Sequence, residues 1–159
     1  MLIESLKFRI ELYADYWDKP PTAEIFVGGI SKNKQEITGT IENPSVIEFF
    51  HDLADGQEYK LVILRTNKDN SQTITENEKI TRDQILHIKS IEIDEIELGG
   101  LIYEGLFYAE YPEPWATQQR ESGNQLPVSF KNANSMGFNG RWELTFTSPF
   151  YMWLLENLY

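Results

Sequence analysis

The side chains best placed for chemistry lie in two aromatic, proline-containing stretches. Residues 108–119 (YAEYPEPWATQQ) carry Tyr108, Tyr111 and Trp115 around two prolines. Prolines so close together exclude a central strand. Rings on a stiff loop can stack against the C–H faces of sugars, while flanking Glu and Gln side chains bond to hydroxyls. The competing reading is that Trp115 folds back and caps the core. Residues 13–21 (YADYWDKPP) repeat the composition and supply Tyr16 and Trp17. Both stretches begin Tyr-Ala-acid-Tyr. If they share one end of the fold, Tyr16, Trp17, Tyr111 and Trp115 form a single platform; otherwise each covers a different edge of the core.

Other chemistries find less support. Asp52, Asp55, Asp69, Asp83, Asp94 and Glu95 fall in or beside loops, and calcium takes roughly six to eight oxygens, often from such loops. Residues 52–56 (DLADG), however, lack the alternation of an EF-hand, and a solvated acidic surface is the favoured reading of these residues. With 25 acids, carboxylate pairs spaced for glycoside hydrolysis arise by chance. The absence of cysteine removes disulfides, thiolate catalysis and Cys-ligated zinc. His51 and His87 have no Ser or Asp arrangement that stands out and read as strand-face residues rather than catalysts. Gly28-Gly29 and Gly99-Gly100 read as turns, and neither opens a helix with a phosphate-binding Lys. The expectation is a protein that is not an enzyme and has no catalytic residues.

Composition narrows the partners. The chain has 159 residues and a formal charge of −11, from 14 Lys+Arg against 25 Asp+Glu. That balance argues against nucleic acid, whose phosphates need a surplus of Lys and Arg, and against an anionic membrane surface. No apolar run has the length of a bilayer span. The N-terminus shows no basic segment followed by an apolar one, so no signal peptide is expected and synthesis is placed in the cytoplasm.

The elements that must position these residues read mainly as strands. Apolar residues alternate with polar ones through residues 6–12, the pattern of a half-buried strand. Residues 22–28, 36–41, 46–50, 58–65, 101–108 and 142–147 read the same way, with 58–65 (EYKLVILR) the best central strand. Through residues 85–98 the apolar phase slips, which suggests bulges or a strand bending between sheets. Gly99-Gly100 and Asn139-Gly140 read as hairpin turns, and residues 81–84 as a possible helical turn. Eight or nine short strands predict an all-β, jelly-roll-like β-sandwich forming a single domain over 1–159, with a small barrel as the alternative. Ser148 as N-cap and Pro149 at the first helical position start a short C-terminal helix over 149–158. This helix is apolar nearly all round, so it docks on its own sandwich or on a neighbouring subunit. Phe150, Tyr151, Trp153, Leu154 and Leu158 are its candidate interface residues.

Two resemblances add to this reading. Residues 80–98 (ITRDQILHIKSIEIDEIEL) resemble the end of calcium-dependent, xylan-binding-type carbohydrate-binding modules. In those jelly rolls a loop Asp precedes a strand, and loop calcium holds sugar hydroxyls. Asp83 falls at the position of the family's metal-loop Asp, whereas Gln84 and Ile85 depart from its more polar loop. Residues 111–119, 136–142 and 146–159 are similar to small virion-associated proteins of tailed bacteriophages, especially those of marine and cyanobacterial hosts. Together they imply a virion protein assembled in the host cytoplasm and binding host surface glycans, with calcium as a possible ligand. The alternative is a capsid-decoration, tail or baseplate component acting only through other virion proteins or as a homo-oligomer.

Overall fold

A computed structural model describes residues 2–158. Alternation along the strands builds two antiparallel sheets. β1 (Ile3–Asp15), β4 (Ser45–Ala54), β8 (Ile85–Ile93), β9 (Ile96–Glu97) and β12 (Ser135–Met136) form the first, in the order β12-β8-β1-β4 with β9 on β8. β2 (Thr22–Val27), β3 (Ile30–Glu36), β5 (Glu58–Thr66), β10 (Leu106–Ala109), β11 (Phe130–Lys131) and β13 (Gly140–Thr147) form the second, in the order β11-β10-β13-β5-β2-β3. The inward parity of the central strands is apolar: Leu6, Phe8, Ile10 and Leu12 on β1, Leu61 and Ile63 on β5, Trp142, Leu144 and Phe146 on β13. Burying these faces against each other is what drives the sheets together. Phe8 of one sheet meets Phe146 of the other at 6.3 Å between ring centroids. The result is the expected all-β sandwich with a short C-terminal helix.

The phase slip in residues 85–98 has two physical sources. A bulge opens between Ile88 and Ser90, where β8 shifts register against Glu11 and Leu12 of β1, and Lys89 is the extra, exposed residue. A tight turn then reverses the chain at Asp94 and Glu95, both at positive φ (53° and 68°). Both features stay within one sheet.

Four local expectations are corrected. The strand expected at residues 36–41 lies earlier, as β3. Its polar sequence hides it because an edge strand needs only its backbone to pair, and it is turned back on β2 by Gly28 and Gly29 at φ 59° and 78°. Beyond it, Ile37 is buried in an irregular crossover. Residues 99–104 form a 3-10 turn rather than a Gly99-Gly100 hairpin and the start of the 101–108 strand, because adjacent Leu101 and Ile102 are both buried and cannot alternate. Residues 79–82 are β7, in a hairpin with β6 (Ile74–Glu76) that turns at Asn77 and Glu78 with φ 52° and 66°. Asn139-Gly140 is no hairpin turn, since β12 before it and β13 after it belong to different sheets.

The C-terminal helix α2 (Phe150–Leu158) docks on this chain's own sandwich. Phe150, Trp153 and Leu154 are buried, and the first two rings pack on Phe146. Ser148 is not the cap. Its hydroxyl donates to Glu4 at 2.6 Å, and the Glu4 carboxylate accepts from the Phe150 N–H at 3.0 Å, so β1 supplies the negative group at the helix start. No helix among the described residues is long and apolar enough to cross a membrane.

Candidate functional site

The loops at one end of the sandwich are organised by a buried cation. Arg65, at the end of β5, is fully buried. Its guanidinium donates to the Gln84 side-chain oxygen at 2.7 Å, the Gln84 carbonyl at 2.6 Å and the Asn139 side chain at 3.0 Å. Burial pushes Arg65 down to about 10, opposed by the negative charge of Asp83, so it is charged at neutral pH. Gln84 passes the order on, its amide donating to the carbonyls of Lys19 and Asn67 and to the Gln72 side chain at 2.9, 3.1 and 3.0 Å. Asn139 in turn exchanges bonds with the Lys68 backbone in both directions. One guanidinium thus fixes the loops at 18–20, 67–72, 83–84 and 137–139. A buried polar network of this kind rigidifies because every member needs its partner.

Above this network lies a cleft of about 630 Å³, within the usual size range of ligand pockets. Trp115, Phe138, Ile80 and the prolines 112 and 114 give it apolar walls, while Asn70, Thr73, Thr75, Asp83, Glu110 and Gln118 give it polar ones. Trp115 opens α1 (Trp115–Glu121) rather than sitting in a loop, and it is 37% exposed. It neither caps the core nor stands free. Its ring meets Phe138 at 5.6 Å and Tyr111 at 6.1 Å, and Tyr111 meets Phe138 edge-on at 5.1 Å. Tyr111 is anchored by its hydroxyl, which donates to the Pro127 carbonyl at 2.5 Å. Asn70 ties the rim together by donating to the Glu113 carbonyl at 3.1 Å.

The remaining sequence candidates are placed elsewhere. Tyr108 lies on β10, opposite Arg141 of β13, whose guanidinium covers its ring at 4.4 Å. Trp17 lies across the 67–72 loop from the cleft. Its indole N–H donates to the Gln72 carbonyl at 2.8 Å, and Arg82 covers its ring at 4.9 Å. Tyr16 is 41% exposed. Among the described residues neither Tyr16 nor Trp17 packs against Tyr111 or Trp115.

Asp83 reaches the cleft, but in the company of a cation. Its Oδ1 accepts from the Lys68 ammonium at 2.7 Å, the Thr73 hydroxyl at 2.7 Å and the Gln84 N–H at 2.8 Å. Burial pushes the carboxyl up, and those three donors together overcome it and hold it below its ordinary value. Lys68 also donates to the Gly137 carbonyl. These residues do not fit a calcium ion, which needs several converging oxygens where Asp83 meets an ammonium. Among the described residues no group of three or more acids or histidines converges elsewhere. Of the other loop acids, Asp69 is paired with Lys19 at 2.8 Å and Asp94 accepts from the Tyr151 hydroxyl.

Of the five helix residues expected at a partner interface, Phe150, Trp153 and Leu154 are taken up by the chain's own core. Tyr151 and Leu158 remain on the outer face with Met152 and Leu155. Phe138, Lys68, Asn70 and Asn139 belong to the cleft without having been singled out in the sequence. The one available signal was the motif at 136–140, where an aromatic sits between glycines.

The molecule is a two-sheet β-sandwich with an aromatic-walled cleft among its loops. Two solved structures are similar to it in overall shape. One is vCBM60 in complex with galactobiose, with a TM-score of 0.49 and 9% identity, covering 86% of this chain and 95% of that one. The other is a selenomethionine form of vCBM60, described with a circular permutation linking two families of calcium-dependent carbohydrate-binding modules. It has a TM-score of 0.48 and 9% identity, covering 87% of this chain and 88% of that one. This is likeness of shape alone and assigns no ligand here. No protein-family model matches the chain, and no curated protein does.

Proposed function

We propose that the chain is a glycan-binding sandwich of a phage particle, and that the cleft at Trp115 engages host surface glycans without catalysing a reaction on them. The observation that carries the binding reading is the half-exposed Trp115 ring, braced by Phe138 and Tyr111 on one wall of a cleft whose other walls are polar. A sugar ring presents an apolar C–H face and hydroxyl edges, and this pairing of walls complements both. Preorganisation adds to it, because the Arg65 network holds the polar wall before any ligand arrives. The particle assignment rests on the sequence resemblance to virion-associated proteins. Affinity electrophoresis through gels containing host polysaccharides tests the reading. Retardation of the wild type that disappears in Trp115→Ala supports it. Equal retardation of the two, or none of the wild type on any host polysaccharide, refutes it.

A second reading, a structural virion component acting through protein contacts, is favoured by the exposed Tyr151, Met152, Leu155 and Leu158 on the outer face of α2. Truncation before Ser148 would strip Phe150 and Trp153 from the core, so the informative variant is Leu155→Glu. Under this reading, particles formed with Leu155→Glu lack the protein while the isolated chain keeps its thermal midpoint.

A further inference from the structure

The outer face of the first sheet carries an arrangement that sequence spacing conceals. On β1, Leu12 and Ala14 point inward, so Tyr13 and Asp15 point outward. On β8, Leu86 and Ile88 are inward and His87 outward; on β12, Met136 is inward and Ser135 outward. The antiparallel register sets Tyr13 directly opposite His87, and His87 directly opposite Ser135. Three strands thus bring together residues separated by 72 and 48 positions. His87 Nε2 lies 2.8 Å from Asp15 Oδ2, and His87 Nδ1 lies 2.7 Å from Ser135 Oγ. The imidazole is stacked on Tyr13 at 4.6 Å, with 14° between the rings.

In the neutral imidazole, the carboxylate partner sets the tautomer. A carboxylate only accepts, so the neutral imidazole carries its proton on Nε2, facing Asp15. Nδ1 is then the acceptor, and Ser135 donates to it. That is the connectivity of an activated serine: a nucleophile bonded to a base, with the base held by a third group. Ser135 is exposed, and it lines a second hollow of about 390 Å³ together with Lys131, Asn132, Asn134 and the aromatic Phe130.

We propose that Ser135, His87 and Asp15 form a nucleophilic site that takes acyl groups from small acyl esters. Ser135 Oγ attacks the ester carbonyl as its proton passes to His87 Nδ1. The tetrahedral adduct collapses, the ester C–O bond breaks, and the alcohol leaves with that proton. Water then attacks the acyl-serine, giving its proton to His87, and the carboxylic acid departs as Ser135 recovers its hydrogen. Asp15 is a positioning residue that holds the tautomer. The site stands on its own geometry and does not depend on what the cleft binds.

The test uses the full chain with p-nitrophenyl acetate and a fluorophosphonate probe, read by p-nitrophenol release and intact mass. The wild type gains one phosphonyl group with loss of fluoride and releases p-nitrophenol above the buffer rate. Ser135→Ala, a surface change, loses both while keeping the wild-type melting midpoint. His87→Phe, which preserves the stack on Tyr13, slows labelling by about 100-fold, the scale of general-base assistance. A wild type that is not labelled, or a label that persists in Ser135→Ala, overturns the proposal.

Discussion

The two stretches that begin Tyr-Ala-acid-Tyr have nearly the same composition and opposite fates. In residues 13–21 the rings of Tyr13 and Trp17 are engaged within the chain, while Tyr16 is exposed. Tyr13 is stacked on His87, and Trp17 is bonded to Gln72 and covered by Arg82. In residues 108–119 Tyr108 lies under Arg141, while Tyr111 and Trp115 lean on each other and on Phe138, and Trp115 lines an open cleft. The difference does not come from the aromatic residues. It comes from what crosses them: β7 sets Arg82 on Trp17, whereas the wall facing Trp115 is built from short polar side chains. An exposed tryptophan is therefore a poor guide to a binding surface until the partners of its indole are known.

Breaking the shared support should have the largest effect. Gln84→Leu removes one of the acceptors of the buried Arg65 and the donor that holds the 18–20 and 67–72 loops. We expect a loss of about 3 kcal/mol in unfolding free energy, the scale of a buried hydrogen bond to a charged group with its partner left unsatisfied. Because Gln84 serves both regions, glycan binding should fall as well. Chemical denaturation and affinity electrophoresis on the same variant check both outcomes. An unchanged denaturation midpoint would mean that the network is not what holds the loops.

Separating the two tryptophans sharpens the contrast. Trp115→Ala should weaken glycan binding at least about tenfold, or roughly 1.4 kcal/mol, with little change in thermal midpoint. Trp17→Ala should do the reverse. It loses one hydrogen bond and a cation–π contact, about 1–2 kcal/mol of stability, and leaves binding within about twofold. Titration calorimetry beside thermal melts distinguishes them, and equal effects on binding would restore the single platform that the sequence suggested.

Much of the scaffold was legible because alternation is a local signal. β1, β2, β5 and β13 follow from which residues share a parity, and α2 from an apolar run after Ser-Pro. β3 was not legible, since its pairing lies in backbone groups and its side chains read as a loop. The cleft was half legible. Tyr111 and Trp115 stand out as aromatics beside prolines, but Lys68, Asn70 and Phe138 join them from distant loops through contacts that no spacing rule encodes. Arg65 and Gln84 look like an ordinary strand end and strand start. Their role appears only when the sheets are stacked and the guanidinium has no water to turn to. The Ser135–His87–Asp15 row depends on strand register, which lies beyond any single segment.

The smallest effects should come from the ion pair that each region carries. Asp69–Lys19 beside the first stretch is an exposed pair, and Asp83–Lys68 in the cleft is largely buried. Salt screens the former far more than the latter. In 1 M NaCl, Lys19→Met should therefore be indistinguishable in stability from the wild type, while Asp83→Asn stays less stable. Acid separates them differently. The folded Asp83 carboxyl is held below its ordinary value, so its contribution is complete above the unfolded carboxylate value, about 3.9. It is lost as pH falls through the lower folded value. Melting curves of wild type and Asp83→Asn should accordingly be apart at neutral pH and converge on acidification. Curves that stay equally far apart in strong acid would show that Asp83 acts through packing and not through its charge.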